Sequence, residues 1–486
     1  MYLGLDLGTS GIKALLINEN NSFIASADAS YKVKYPQKGW SEQSPKDWKF
    51  AFKKVIRILK SKYDSELSSL KGIGISGQMH GATLLDNKDE VLRPCILWND
   101  TRATKQAKKL DKISIVRKIS GNIVFPGFTA PKLIWIAENE PAIFSKIAKV
   151  LLPKDYLNFW LTGEYSSDMS DSSGTSWLDT KKRKWSKDLL SFSQMRKDQM
   201  PKLFESSKPI GKLRKKIAQE LGIPSNVIIV AGAGDNAAAA CGIGVINDGD
   251  TFISLGTSGV ILTAKQNFSP KPKTAIHTFC HAFSNRWYQM GVILSATDCL
   301  NWLANTLEKK VADITDPLGK KLVGPSNIKF LPYLCGERTP HNDSKIRASF
   351  LNLDISSNQN DLTQSVLEGV SFAFRNNLEN LQNSGNKIEN AVVIGGGIKS
   401  SYWLELIATT LNINLEIPEK GNFAAALGAA RLAMIGETKT DPREIIIYPK
   451  ISKKILPQKK LIKSYENAYF NYQKIYPTLK KLEKRN

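Results

Sequence analysis

Cysteine is scarce in this chain and scattered along it. The five cysteines, Cys95, Cys241, Cys280, Cys299 and Cys335, are odd in number, and none stands in CxxC spacing. That argues against a disulfide framework or a zinc ribbon, and a reduced, cytoplasmic setting is expected. An unbroken apolar run of membrane-spanning length is also lacking. The nearest candidate, Val227 to Ile246, carries Asp235 and Asn236 at its centre, where a charge in lipid is costly. It reads as a buried strand, a tight turn and a helix start. The chain opens directly on a strand with Asp6 already inside a candidate motif, so neither a cleaved leader nor a membrane partner is expected. Acidic residues are outnumbered, 45 against 68 basic ones, for a net charge of +23. The densest basic runs are Lys181 to Trp185 and the lysines between Lys453 and Lys463. Neither alternates bases with aromatics as a single-strand groove does, and no nucleic-acid partner is expected. An anionic substrate or a nucleotide is the better use of part of this charge.

What is present is a repeat. The chain of 486 residues, 42% of them hydrophobic, suits two domains. The stretch LGTSG occurs at Leu7–Gly11 and again at Leu255–Gly259, about half the chain apart, each time between two apolar runs. Three short strands open the first half ("YLGLDLG", "KALLIN", "SFIASAD"), and "TFISLGTSG", "VILTA" and "RWYQMGVILS" open the second. A helix follows at "DWKFAFKKVIRILKSKY". A strand, a loop and a hairpin through "DNKDE" are expected in the segment ending at "LWND". "NAVVIGGG" reads as a buried strand with a glycine-rich end. An alanine-rich helix spans Phe423 to Met434, and a basic helical tail closes the chain. The expected architecture is two α/β halves, 1–245 and 246–486.

Glycine permits a tight hairpin and close approach by a ligand, while Thr and Ser add hydroxyls and successive turn N–H groups make an anion nest. Two such hairpins facing one another across a cleft would grip a polyphosphate from both sides. Only the first is preceded by a carboxylate, Asp6; Ser254 stands in its place in the second. One carboxylate, directly or through water, suffices to place Mg²⁺ on the phosphates.

The paired hairpins and "VVIGGG" resemble the phosphate and adenosine motifs of the actin/hexokinase/Hsp70 ATPase fold. Within it the chain closely resembles the FGGY carbohydrate kinases, on the xylulose-kinase branch. The matching stretches run in family order from residue 1 to about 435 and include "GLDLGTSGIKA", "WSEQSPKDW", "SGQMHGATLLD", "RPCILWNDTRA", "GDNAAAA", "SLGTSGV", "FLPYLCGERTPHND" and "VVIGGGIKSSYW". The resemblance implies two ribonuclease-H-like domains closing on a central cleft. It implies a kinase that moves the γ-phosphoryl of MgATP to the terminal hydroxyl of D-xylulose. It makes Asp235 the catalytic base rather than a helix cap, with Asn236, Met79 and His80 on the sugar. Trp98 either packs on the sugar's apolar face or belongs to the core. Thr9, Gly256 and Thr257 would meet the phosphates, Lys13 would assist at the first hairpin, and Gly396 and Gly397 would admit the adenine end. The implied partners are a small sugar and ATP, with room for a homodimer.

Two other patterns point elsewhere. Gly72, Gly74 and Gly77 spell G-x-G-x-x-G, but a dinucleotide fingerprint opens a helix, and "QMHGATLLD" reads as strand and hairpin. His277, Cys280 and His281 lack the further ligands a metal site needs. The rival functions are another FGGY kinase acting on a different ketose or polyol, a non-catalytic actin-fold protein, and a basic nucleic-acid binder.

Overall fold

The computed structural model describes residues 1–483. Two seven-stranded mixed sheets organise it. The first contains β1 (Tyr2–Leu7), β2 (Gly11–Ile17), β3 (Phe23–Ser30), β4 (Gly72–Gly77), β5 (Pro209–Lys212) and β6 (Ile228–Val230), in the order β5-β6-β4-β1-β2-β3. A further two-residue strand, Ala233–Gly234, pairs with β4. The second contains β7 (Thr251–Leu255), β8 (Gly259–Lys265), β9 (His277–Cys280), β10 (Trp287–Ile293), β11 (Asn390–Ile394), β12 (Asn414–Pro418) and β13 (Ile451–Ile455), in the order β9-β10-β8-β7-β11-β12-β13. The sheets repeat one plan. In each, the strand before LGTSG pairs antiparallel with the strand after it and parallel with a later strand, β4 or β11. The expected α/β duplication is thus present in the topology.

Helix α1 (Pro45–Ser68) starts where Ser44 caps it and Pro45 occupies the first turn. Trp48, Ala51, Phe52, Val55, Ile56 and Leu59 recur at helical spacing and are buried on the first sheet. Between the sheets lie two small-residue helices, α2 (Asp235–Gly242) and α3 (Ala424–Thr438). They cross in backbone contact. A Cβ on Gly242 would stand 1.8 Å from Ala424 O, and one on Gly428 would stand 1.8 Å from Ala238 O. Helix α3 belongs to the second half of the chain, yet it lies against β1 and β4 of the first sheet. The G-x-G-x-x-G pattern finds its explanation here. A Cβ on Gly74 would meet Ala429 O at 2.0 Å, so this glycine admits a helix rather than a dinucleotide.

Two local expectations need correction. The "DNKDE" turn closes with only a single bridge, Leu85 to Val91, while Thr83–Leu85 takes Lys149–Leu151 as its strand partner. The basic tail is not wholly helical: Ile451–Ile455 forms the edge strand β13 before the helices Lys459–Gln473 and Ile475–Glu483. Among the described residues, no helix is long and apolar enough to cross a membrane.

Candidate active site

The residues singled out in the first half converge at the ends of β1 and β4 and the start of α2. Asp6 lies near the end of β1, and its ladder partner on β2 is Lys13, so both side chains share one face. Asp6 Oδ1 accepts from the Ser76 hydroxyl at 3.0 Å, and its other oxygen has no hydrogen-bond partner among the described residues. Burial raises its pKa, partly offset by Ser76 and Lys13.

Asp235 occupies the first position of α2, where Gly234 is the N-cap, so it does not cap the helix. Its Oδ1 accepts from the backbone N–H of Asn236 at 2.7 Å and from Asn236 Nδ2 at 2.9 Å. The Asn236 amide therefore holds the carboxylate in place. Burial, followed by the like charge of Asp6, pushes Asp235 up to about 7. The strand–turn–helix leading to it is tied down from below. Gly234 N–H donates to Ser170 Oγ at 3.1 Å, the Ser170 hydroxyl donates to Asp168 at 2.5 Å, and Asp168 pairs with the buried Lys154 ammonium at 2.8 Å. Ser170 and Asp168 stand in no motif that sequence reading singles out.

Met79 and His80 follow β4. The Met79 sulfur lies where a Cβ on Gly234 would meet it at 3.1 Å, which puts this loop against the Asp235 turn. His80 has φ 72°, and its carbonyl accepts from Lys132 at 2.8 Å and Thr129 at 3.2 Å. His80 Nδ1 faces Gly174 O at 2.9 Å, so the neutral ring carries its proton there and leaves Nε2 to accept. Burial, then the Lys132 and Arg338 charges, hold its pKa well below the usual value.

The two LGTSG turns differ in what they leave free. The backbone N–H groups of Thr9, Ser10, Thr257 and Ser258 have no hydrogen-bond partner among the described residues. Both turns therefore retain the donors of an anion nest. The Thr9 hydroxyl, however, is engaged: it donates to Gln78 at 3.2 Å and accepts from Trp98 Nε1 at 3.0 Å. Trp98 thus braces the first turn through its indole N–H. Thr257 is exposed and its hydroxyl has no partner among the described residues. Gly256 leads into it, with its own N–H on Ser258 O at 3.2 Å. At the end of β11, Gly396 is exposed and a Cβ there would meet nothing. Gly397 is turned inward instead, and a Cβ on it would stand 2.4 Å from the Leu255 side chain. Its smallness serves packing under the second turn.

These donors suit a nucleoside triphosphate. Mg²⁺ on its phosphates needs only one or two protein carboxylates, with phosphate oxygens and water completing the octahedron. Asp6, with one oxygen free, fits that requirement. Among the described residues no group of three or more His, Cys, Asp or Glu forms a metal cage. His281 is occupied on both ring nitrogens, by Val245 O at 3.0 Å and by Phe283 N–H at 2.9 Å.

Residues 1–242 match the FGGY family of carbohydrate kinases, N-terminal domain, and residues 251–437 match its C-terminal domain. The chain belongs to the FGGY family of carbohydrate kinases. This kinase is 41% identical to a xylulose kinase of Escherichia coli (strain K12), over 99% of this chain and 98% of that one. It is 45% identical to a xylulose kinase of Klebsiella pneumoniae, over 90% of each chain. Among solved structures it is similar to one described as a xyloylose kinase from Brucella ovis. There the TM-score is 0.96 and identity 52%, with 99% of both chains covered. A ligand-bound xylulose kinase from Lactobacillus acidophilus superposes with TM-score 0.92 at 27% identity, covering 98% of each. The protein is therefore a phosphotransferase of the actin/hexokinase-type fold.

Proposed function

We propose that this kinase transfers the γ-phosphoryl group of ATP to the terminal hydroxyl (O5) of D-xylulose. The observation that carries the reading is the packing of the Met79–His80 loop against the Gly234–Asp235 turn, with Asp6 close enough to raise the Asp235 pKa. The names and identities of its relatives support the choice of sugar. The Asp235 carboxylate orients the attacking hydroxyl and takes its proton, a role suited to a group that titrates near neutral pH. Asn236 keeps that carboxylate aimed. His80 Nε2 accepts from the sugar. The free N–H groups of the two turns hold the phosphates, Lys13 reaches them from β2, and Gly396 borders the nucleoside end. Asp6 would hold Mg²⁺, which when bound would supply neutralisation of charge on the transferring group.

Phosphorylation measured across ketopentoses, ketohexoses, polyols and aldonates tests the substrate, and D-xylulose is expected to give the highest kcat/KM. Asp235→Asn keeps shape and a hydrogen bond but cannot take the proton. General-base assistance is worth roughly 10²–10⁴-fold, so kcat should fall at least about a hundredfold. ADP affinity by calorimetry should stay near that of the parent. Normal turnover in this variant would remove Asp235 as the base.

A further inference from the structure

Around the Met79–His80 loop three polar groups stand without protein partners in an otherwise aromatic box. His277 is 1% exposed, and neither of its ring nitrogens has a hydrogen-bond partner among the described residues. His80 leaves Nε2 free, as shown above. The third is the guanidinium of Arg338, which has neither a hydrogen-bond acceptor nor an ion pair among the described residues. It lies over the Phe125 ring, 4.8 Å from the centroid. Phe125 is 4.9 Å from His277 and 5.4 Å from Phe128, and Phe128 is 4.7 Å from His80, centroid to centroid. The guanidinium is half-buried and no protein acceptor among the described residues answers it, so its donors are available to a ligand oxygen placed there.

Arg338 comes from the other half of the molecule. Its loop is pinned to β10 and its neighbours: Glu337 Oε1 accepts from Leu294 N–H at 3.2 Å, and the Thr339 hydroxyl accepts from Val292 N–H at 3.1 Å while donating to Ala275 O at 3.1 Å. The C-terminal helix Ile475–Glu483 holds the same loop, with Tyr476 and Lys480 on Asp343 at 2.9 and 2.6 Å. The side chain thus reaches from a firmly held second-half loop to the first-half Phe125 ring, which joins His80 through Phe128. The two hairpin turns, by contrast, carry their own free donors.

We propose that Arg338 is a sugar-binding residue, donating from the second domain to an oxygen of the acceptor bound at the Met79–His80 loop. His277, in the same box, supplies a second polar contact. The inference rests on the sugar-kinase reading above. It makes sugar binding a bond between the two halves, so that the acceptor itself draws the nucleotide-binding half toward it.

The test uses the full-length kinase with Arg338→Met, which keeps the stem, and Arg338→Lys, which keeps the charge but loses the fork. Hydrogen bonds to a charged group are worth enough that losing one raises KM and Kd for D-xylulose roughly 10–100-fold. ADP affinity, measured on the same samples, should change less than about twofold, and Arg338→Lys should recover only part of the sugar affinity. Unchanged KM and Kd for the sugar in Arg338→Met overturn the proposal. So does a parallel loss of ADP affinity, which would place Arg338 on the phosphates or in the scaffold. If Arg338→Met does not fold, Arg338→Lys decides by the same readings. A parent enzyme that rejects D-xylulose but takes another acceptor would overturn the substrate assignment alone. The Arg338 variants are then read on that acceptor, with the same expected and overturning results.

Discussion

The two LGTSG turns share a sequence and differ in structure. At the first, Leu7 pairs with Ile12 and Gly8 N–H bonds to Gly11 O. At the second, Leu255 pairs with Gly259 and Gly256 N–H bonds to Ser258 O. One pentapeptide thus closes two hairpins in registers one residue apart. The difference follows the surroundings. The first turn is held by Tyr31 on Gly8 O, Gln43 on Thr9 O and Trp98 on the Thr9 hydroxyl. The second is held through its carbonyls alone, by Ala296 N–H on Thr257 O and Thr297 N–H on Gly256 O. Their electrostatics differ too. Asp6 faces Lys13 across the first ladder, where Ser254 faces Val260 across the second. A half-buried carboxylate carries a desolvation cost, and Asp6 already raises Asp235. On the proposed reading the turn chemistry is duplicated because both ends of a polyphosphate need N–H donors, and the carboxylate is not because one metal ion would need it once.

The largest effect should come from removing that asymmetry. Asp6→Asn should lower kcat roughly a hundredfold, in the range seen when preorganised charge stabilisation is lost, and should raise the Mg²⁺ requirement. Sugar affinity should hold within about threefold. A parent-like rate and magnesium dependence would leave the two turns equivalent. A smaller effect separates the two threonines. Thr9→Val removes a braced hydroxyl and should cost about 1–2 kcal/mol of stability, read as a lower Tm. Thr257→Val should leave Tm unchanged and weaken ADP about 3–10-fold. Identical behaviour of the two variants would contradict the assigned difference.

The smallest effect is in the pH profile. The base must be ionised, so kcat/KM should fall as pH drops below about 7 in the parent. In Asp6→Asn the repulsive neighbour is gone and that limb should move to lower pH. A limb that stays in place would mean that Asp6 does not act on Asp235. The sign for stability runs the other way. A raised carboxyl pKa stabilises the fold while protonated, and that contribution is lost as pH rises from the ordinary Asp range through about 7. Asp235→Asn should therefore melt higher than the parent at pH 8, with a smaller gap at pH 5.

Much of the site is legible in sequence because it lies in short windows. Asp235 follows a buried strand at a glycine turn, Met79 and His80 follow another, and the repeated turns mark the halves. Other parts are not legible, because no window contains both partners. Arg338 and His80 are far apart in the chain, and so are Trp98 and Thr9. The His277, Cys280 and His281 stretch, weighed as a metal motif, instead supplies His277 to the aromatic box, where the rings of Phe125 and Phe128 meet it. Gly397 resembles a nucleotide glycine by its neighbours, and only its contact with Leu255 shows that packing also demands a glycine there.

From the sequence alone come the α/β duplication, the strand–turn–strand units, the long helix through "DWKFAFKKVIRILKSKY" and the family. These follow from hydrophobic period and turn chemistry, which act over a few residues. The tertiary structure alone decided the register of each turn, the partner of Thr83–Leu85, the seating of α3 on the first sheet and the raised pKa of Asp235. Those depend on close backbone approach, on burial and on charges brought together from distant parts of the chain, and such quantities exist only once the chain has folded.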